Sequence, residues 1–155
     1  MNNSIWQPLC DKSITSDYDI LYCRLSRDDG INEKESDSIS HQKQILSEYA
    51  AKNGFINPIF VVDDGFSGTN FQRPGWELVS QEIDKGNVRS IICKNKDRFS
   101  RDYLRTGLWM ETFRDKSIRL YFFIDFTSRS PRICAAVVTG TSAVTKLVPT
   151  VRLKE

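Results

Sequence analysis

Three short segments of the chain combine arginine with hydroxyl or carboxylate side chains: Arg24, Ser26 and Arg27; then Asp64, Ser67 and Arg73; then Asp97, Arg98 and Arg101. Guanidinium stays protonated near neutral pH, so these arginines cannot serve as general acids or bases. They can grip the non-bridging oxygens of a phosphate in bidentate fashion and stabilise charge that builds up at phosphorus. A serine hydroxyl among them is a candidate nucleophile toward a phosphodiester. The single histidine, His41, belongs to a different part of the sequence, so a serine–histidine triad is not expected and Ser26 would rely on arginines and carboxylates. Each residue also has a plain structural use. An arginine at a strand end commonly makes a surface ion pair, Ser26 and Ser67 can bond their own turns, and Gly65-Phe66-Ser67-Gly68 can simply reverse the chain. Asp63 and Asp64 together could hold Mg²⁺, but acids are sparse around them and the arginines can supply the positive charge. Neither a G-x-x-x-x-G-K-[ST] loop nor a G-x-G-x-x-G after a strand is present, so a nucleotide-phosphate cradle is not expected.

The elements that must carry these residues follow from periodicity. Tyr18 to Leu25 reads as a first strand. From Ile39 a helix of about sixteen residues follows, with Ile45, Leu46, Tyr49 and Ala50 at helical spacing, Asp37 or Ser38 as N-cap and Gly54 as stop. Ile59 to Val62 is a second strand that leads into the turn-forming DDGFSGTNFQRPG. Pro74 opens a helix where its missing N–H costs nothing, Trp76, Val79 and Ile83 line one face, and Gly86 ends it. Val88 to Cys93 is strand three; Asp102 caps a helix containing Tyr103, Met110 and Phe113; Ile118 to Ile124 is strand four. This βαβαβαβ order implies a mostly parallel sheet of four to five strands covered on both faces. Ligands of such sheets sit at the C-terminal strand ends, where all three arginine-bearing segments fall. Thr127 to Glu155 differs: it is rich in Ser and Thr, its only acid is Glu155, and residues 134–138 (CAAVV) are a possible strand.

The 155 residues, 39% hydrophobic and 27% charged, suffice for one globular domain with a real core. No run approaches the roughly 20 apolar residues of a bilayer span, and the N-terminus lacks a basic flank with an apolar stretch, which argues against a membrane or secretory protein. Cys10, Cys23, Cys93 and Cys134 are too dispersed for a zinc site or a disulfide framework and read as reduced thiols. The net charge of +2 is uneven: residues 1–90 carry −5 and residues 91–155 carry +7. The basic excess peaks in KNKDRFSRDYLR, where Lys94, Lys96, Arg98, Arg101 and Arg105 accompany only Asp97 and Asp102, a composition suited to a polyanion.

Four blocks carry a resemblance to a known family: Tyr22-Cys23-Arg24-Leu25-Ser26, Ser38-Ile39-Ser40-His41-Gln42, Asp64-Gly65-Phe66-Ser67-Gly68 with Arg73-Pro74-Gly75, and Asp97-Arg98-Phe99-Ser100-Arg101-Asp102. In this order and spacing, over about residues 18–124, they resemble the catalytic domain of serine recombinases of the resolvase/invertase type. YCRLSRDDG with DDGFSGTNFQRPG looks like the large serine recombinases of conjugative and mobilisable transposons. The resemblance implies a resolvase-like three-layer α/β sandwich, wound as in flavodoxin. It implies that Ser26 attacks a DNA phosphate to give a 5′-phosphoserine and a free 3′-hydroxyl, and that Arg24, Arg98 and Arg101 bind and polarise that phosphate. Arg73 would be a further active-site arginine, and Gln42, Asp64, Ser67 and Asp97 supporting polar residues. No metal or nucleotide cofactor is implied. The implied partner is double-stranded DNA in the bacterial cytoplasm, handled by a homodimer or tetramer. The resemblance ends near Asp125, which divides the chain into an extension (1–17), a catalytic domain (18–125) and a tail (126–155) that is disordered or out of frame. Two other readings stand beside it: a truncated, non-catalytic remnant without dimer helix or DNA-binding domains, and a flavodoxin- or phosphatase-like protein that seats a soluble phosphate over Gly65–Gly68.

Overall fold

In the computed structural model of the chain, the described residues are 6–8, 17–25, 39–66, 72–125, 133–138 and 146–149. They form β1 (Trp6–Pro8), β2 (Tyr18–Leu25), α1 (Ile39–Asn53), β3 (Pro58–Asp64), α2 (Pro74–Asp84), β4 (Val88–Cys93), α3 (Lys96–Phe99), α4 (Tyr103–Asp115), β5 (Arg119–Asp125), β6 (Ile133–Val138) and β7 (Lys146–Pro149). The strands make one sheet in the order β1-β3-β2-β4-β5-β6-β7. β3, β2, β4 and β5 are mutually parallel, the expected core. β1, β6 and β7 extend it antiparallel on either side, and β6 includes the CAAVV run. Among the described residues no helix is long and apolar enough to cross a membrane.

Alternation along β2 sends its side chains to opposite faces of the sheet. Ile20 and Tyr22 join Trp76, Val79 and Ile83 of α2 and Phe113 of α4 in one buried cluster. Leu21 and Cys23 join Leu46, Tyr49 and Ala50 of α1 in another. Three layers result, with α1 on one face and α2 and α4 on the other. Trp76 centres the larger cluster, edge-on to Tyr22, Phe99 and Trp109 at ring-centroid distances of 5.5, 5.1 and 5.0 Å. Cys23 and Cys93 are buried free thiols, and burial pushes the Cys23 thiol up to about 12.

Several local features agree with the sequence. α1 ends before Gly54, whose φ of +65° belongs to the left-handed region that glycine enters freely. α2 begins at Pro74, and Asp102 caps α4 by accepting from the Arg105 N–H at 3.1 Å. The N-cap expected for α1, Asp37 or Ser38, lies outside the described residues. Two features differ. Gln42, not Ile45, is fully buried on the inner face of α1, and Tyr103 lies 79% exposed on α4 with Lys96 Nζ 4.6 Å above its ring, while Thr106 is buried.

The N-terminal end of β2 is anchored by Asp19. This buried carboxylate accepts from the main-chain N–H groups of Ile56 and Asn57, from the Ser90 hydroxyl at 2.6 Å and from both Nε and Nη2 of Arg89. Asp19→Ala orphans these donors at the end of the sheet opposite Arg24. Urea denaturation is expected to show a loss of roughly 3 kcal/mol.

Candidate active site

The site is built at the C-terminal end of β2. Arg24, on the same face as Ile20 and Tyr22, is fully buried. Its main chain is held by Gln42: the Arg24 N–H donates to Gln42 Oε1 at 3.1 Å, and Gln42 Nε2 donates to the Arg24 carbonyl at 3.0 Å. The amide thus pairs with the strand as another strand would, which explains a glutamine on the buried face of α1. On the opposite edge, Gly65 N–H donates to the Leu25 carbonyl at 2.7 Å, and its φ of +80° turns the chain directly after β3.

The Arg24 side chain spends its donors on main-chain carbonyls. Nε donates to Arg98 at 3.2 Å, Nη2 to Asp97 at 2.8 Å and Nη1 to Phe66 at 2.8 Å. Two of these acceptors are C-terminal carbonyls of α3, a single turn whose N-terminus is capped by Asn95, with Oδ1 accepting from the Arg98 N–H at 3.0 Å. A third carbonyl of that turn, Phe99, accepts from Arg73 Nη1 at 3.0 Å. Two buried guanidinium groups therefore close the C-terminus of α3, where positive charge is favoured. That fixes the turn carrying Arg98 and leading to Arg101.

Arg24 and Arg73 thus meet at the turn that contains Arg98, and their charges act on one another. Burial, then repulsion from Arg73, with smaller contributions from Arg98 and Arg101, lowers the Arg24 guanidinium to about 10. Arg73 is fully buried, Arg98 nearly so and Arg101 exposed. Such a group of cations gains from any anion that bridges it, and a phosphate offers oxygens for several guanidinium forks at once.

The structure brings together Arg24, Arg73, Arg98 and Arg101, with Gln42 behind them. Asp97 meets Arg24 through its carbonyl, and it and Asp64, opposite Leu25 in the sheet register, are exposed. Ser26 and Ser67 lie outside the described residues. Asp63 and Asp64 do not form the carboxylate pair considered for Mg²⁺, because neighbouring strand residues face opposite ways. Asp63 is buried and accepts from the main-chain N–H groups of Gly75 (2.7 Å) and Trp76 (3.0 Å) and from the Tyr22 hydroxyl (2.7 Å). Among the described residues no group of three His, Cys, Asp or Glu side chains could hold a metal ion. Tyr22, Gly75 and Asn95 are site-building residues to which the sequence assigned no role, and Asp63 serves the start of α2 and not the cation considered for it. The start of α2 held a clue, since Arg73-Pro74 supplies no side-chain cap and the first free N–H groups need an acceptor from elsewhere.

Arginines gathered at the end of a parallel strand, on a sheet with helices on both faces, define an α/β domain with a cationic site at the end of its central strand. Residues 20–146 match the family described as "Resolvase, N terminal domain", and the chain belongs to that family. The N-terminal catalytic domain of TP901-1 integrase superposes with a TM-score of 0.57 at 25% identity, covering 67% of this chain and 76% of that one. The C-terminal catalytic domain of ISC1926 TnpA, an IS607-like serine recombinase, superposes with a TM-score of 0.56 at 22% identity, covering 72% and 71%, a likeness of fold. A Bacillus subtilis (strain 168) protein named "Putative DNA recombinase" is 29% identical over 80 residues, 52% of this chain and 16% of that protein. "Uncharacterized immunity region protein 3" of Bacillus phage phi105 is 35% identical over 66 residues, 43% of this chain and 78% of that one. The chain thus has the fold of a serine recombinase catalytic domain and spans a small part of the Bacillus subtilis relative's length.

The arginine cluster makes an anion-dependent stability testable. In millimolar sulfate, at ionic strength matched with chloride, Tm is expected to rise, with stabilisation on the order of 1.4 kcal/mol at ten times the Kd. The rise should largely vanish in Arg98→Ala. Equal Tm values in the two salts for the parent chain would remove the anion site.

Proposed function

We propose that the chain is the catalytic unit of a site-specific DNA recombinase and that Ser26 is its nucleophile. One observation supports this above others: Arg24 and Arg73 meet at the turn that carries Arg98 and leads to Arg101, and Arg24 lies two residues before Ser26 in the chain. Ser26 Oγ attacks phosphorus of a DNA phosphodiester, the bond from phosphorus to the 3′ oxygen breaks, and that oxygen leaves as a 3′-hydroxyl after taking up a proton. The 5′-phosphoserine keeps the ester bond, so the reverse attack by a 3′-hydroxyl rejoins a strand without an external energy source. Arg98 and Arg101 hold the phosphate oxygens and spread the charge that grows in the transition state. Arg24 and Arg73 add their positive field and fix α3, while Gln42 sets the last residues of β2. Asp64, Ser67 and Asp97 complete the polar rim.

In this reading residues 18–125 carry the chemistry, 1–17 are an extension and 126–155 a tail. The substrate is double-stranded DNA in a bacterial cytoplasm, and strand exchange takes place between copies of the chain assembled as a dimer or tetramer. The names of the TP901-1 integrase domain and of the Bacillus subtilis relative support a recombinase.

The test is trapping. Supercoiled plasmid carrying the DNA that flanks the coding region is incubated with the chain and quenched with detergent. A protein–DNA adduct is expected, with mass spectrometry placing the phosphate on Ser26 and Ser26→Ala abolishing it. An adduct that survives Ser26→Ala refutes the assignment, and anion binding without any adduct favours the non-catalytic remnant.

A further inference from the structure

Buried Arg73 and the buried Asp63 carboxylate are linked through the one side chain of Tyr22. Asp63 lies at the end of β3 with both carboxylate oxygens fixed: Oδ1 accepts from the Gly75 N–H, and Oδ2 from the Trp76 N–H and the Tyr22 hydroxyl. These amides open α2, where the positive end of the helix favours a carboxylate. The approach is so close that a Cβ on Gly75 would stand 2.8 Å from both Asp63 oxygens. Glycine is therefore required there for packing.

The Tyr22 hydroxyl has one proton, which goes to Asp63 at 2.7 Å. Its oxygen is left to accept, and Arg73 Nη1 donates to it at 2.9 Å. With the Phe99 carbonyl at 3.0 Å, both protons of Nη1 are committed, so the guanidinium plane is set by two acceptors on different elements. The Tyr22 ring is held edge-on by Trp76. Burial and the Asp63 carboxylate keep the phenol protonated by pushing it well above its usual range.

We propose that Tyr22 and Asp63 are positioning residues for Arg73: a helix-anchored carboxylate orients the Tyr22 hydroxyl, and that hydroxyl sets the guanidinium for a phosphate. The inference rests on Arg73 being one of the phosphate-handling arginines. The inserted phenol has a physical purpose. A neutral hydroxyl fixes the direction of the guanidinium without itself neutralising the charge, as a carboxylate in its place would.

The experiment uses the full chain and two readouts: the ¹⁵N resonance of Arg73 Nε, assigned by its loss in Arg73→Lys, and affinity for inorganic phosphate by calorimetry. Tyr22→Phe keeps the ring against Trp76, and Asp63→Asn keeps the size of the side chain. Each is expected to shift the Arg73 resonance and weaken phosphate binding about tenfold, with circular dichroism unchanged. In an Arg73→Ala background, Tyr22→Phe should cost no further affinity. An unmoved Arg73 resonance in Tyr22→Phe, or the same loss of affinity with and without Arg73, overturns the proposal. So does loss of fold in both variants, because the network would then serve the sheet and not the guanidinium. If Arg73→Ala binds phosphate as the parent does, Arg73 is not a phosphate ligand, while a shifted resonance still establishes the positioning.

Discussion

The organisation of the candidate site depends on one buried cation. Arg24 loses its hydration on folding, a cost of several kcal/mol unless its N–H groups find acceptors. The acceptors it finds come from two segments distant in sequence, the chain after β3 and the single turn after β4. A side chain that must be satisfied by Phe66, Asp97 and Arg98 at once leaves those segments little choice of position. The geometry of the rim is thus a consequence of satisfying Arg24, and Gln42 completes it by fixing the backbone from which that side chain starts.

The sheet topology makes this possible. The chain leaves β2 through α1 to β3 on one side, then crosses through α2 to β4 on the other side of β2. The two crossovers use opposite faces, so the strand order reverses at β2, and the C-terminal end of β2 is the switch point at which doubly wound sheets take their ligands. Arg24 projects there, and α3 follows immediately after β4. Cys93 at the end of β4 pairs with Tyr22, so the turn that carries Arg98 begins level with the last residues of β2. At the other end of the same strand Asp19 ties β2 to Arg89 and Ser90 and to the main chain entering β3, which fixes the register from below.

Much of this was legible in the sequence, and the rest was hidden for identifiable reasons. Buried parallel strands are continuous apolar runs, so β2, β3, β4 and β5 stand out between amphipathic stretches. Pro74 and Asp102 mark helix starts by local chemistry, and so they agree with the structure. Gln42 entered through the family resemblance and not through periodicity, because a polar residue at an inward position looks like a break in the pattern until its partner, an open strand end, is known. Asp63 was misleading for a similar reason: next to Asp64 it suggests a cation, while its side chain belongs to the helix terminus across the sheet. The arginines were readable as a group. That Arg24 and Arg73 also close the C-terminus of α3 was not, since carbonyl acceptors leave no trace in the identity of the residues that own them.

The nature of those acceptors carries the electrostatic logic of the molecule. β2 has a buried or half-buried arginine at each end, solved differently. Arg89 is bonded to the Asp19 carboxylate, which raises its affinity for the proton and cancels its charge locally. Arg24 is bonded to three neutral carbonyls, which satisfy its hydrogen-bonding geometry without cancelling its charge, and its affinity for the proton falls. Dipoles direct a cation; a carboxylate neutralises it. Arg24 therefore keeps its charge beside other arginines, and repulsion from Arg73, with smaller contributions from Arg98 and Arg101, adds to burial in lowering its affinity for the proton. Repulsion of this kind disfavours neighbouring cations on their own, and an anion that bridges them relieves it. An end of the strand built only for stability would resemble the Asp19 end. The Arg24 end has the opposite arrangement, and it lies where the chain runs on to Ser26.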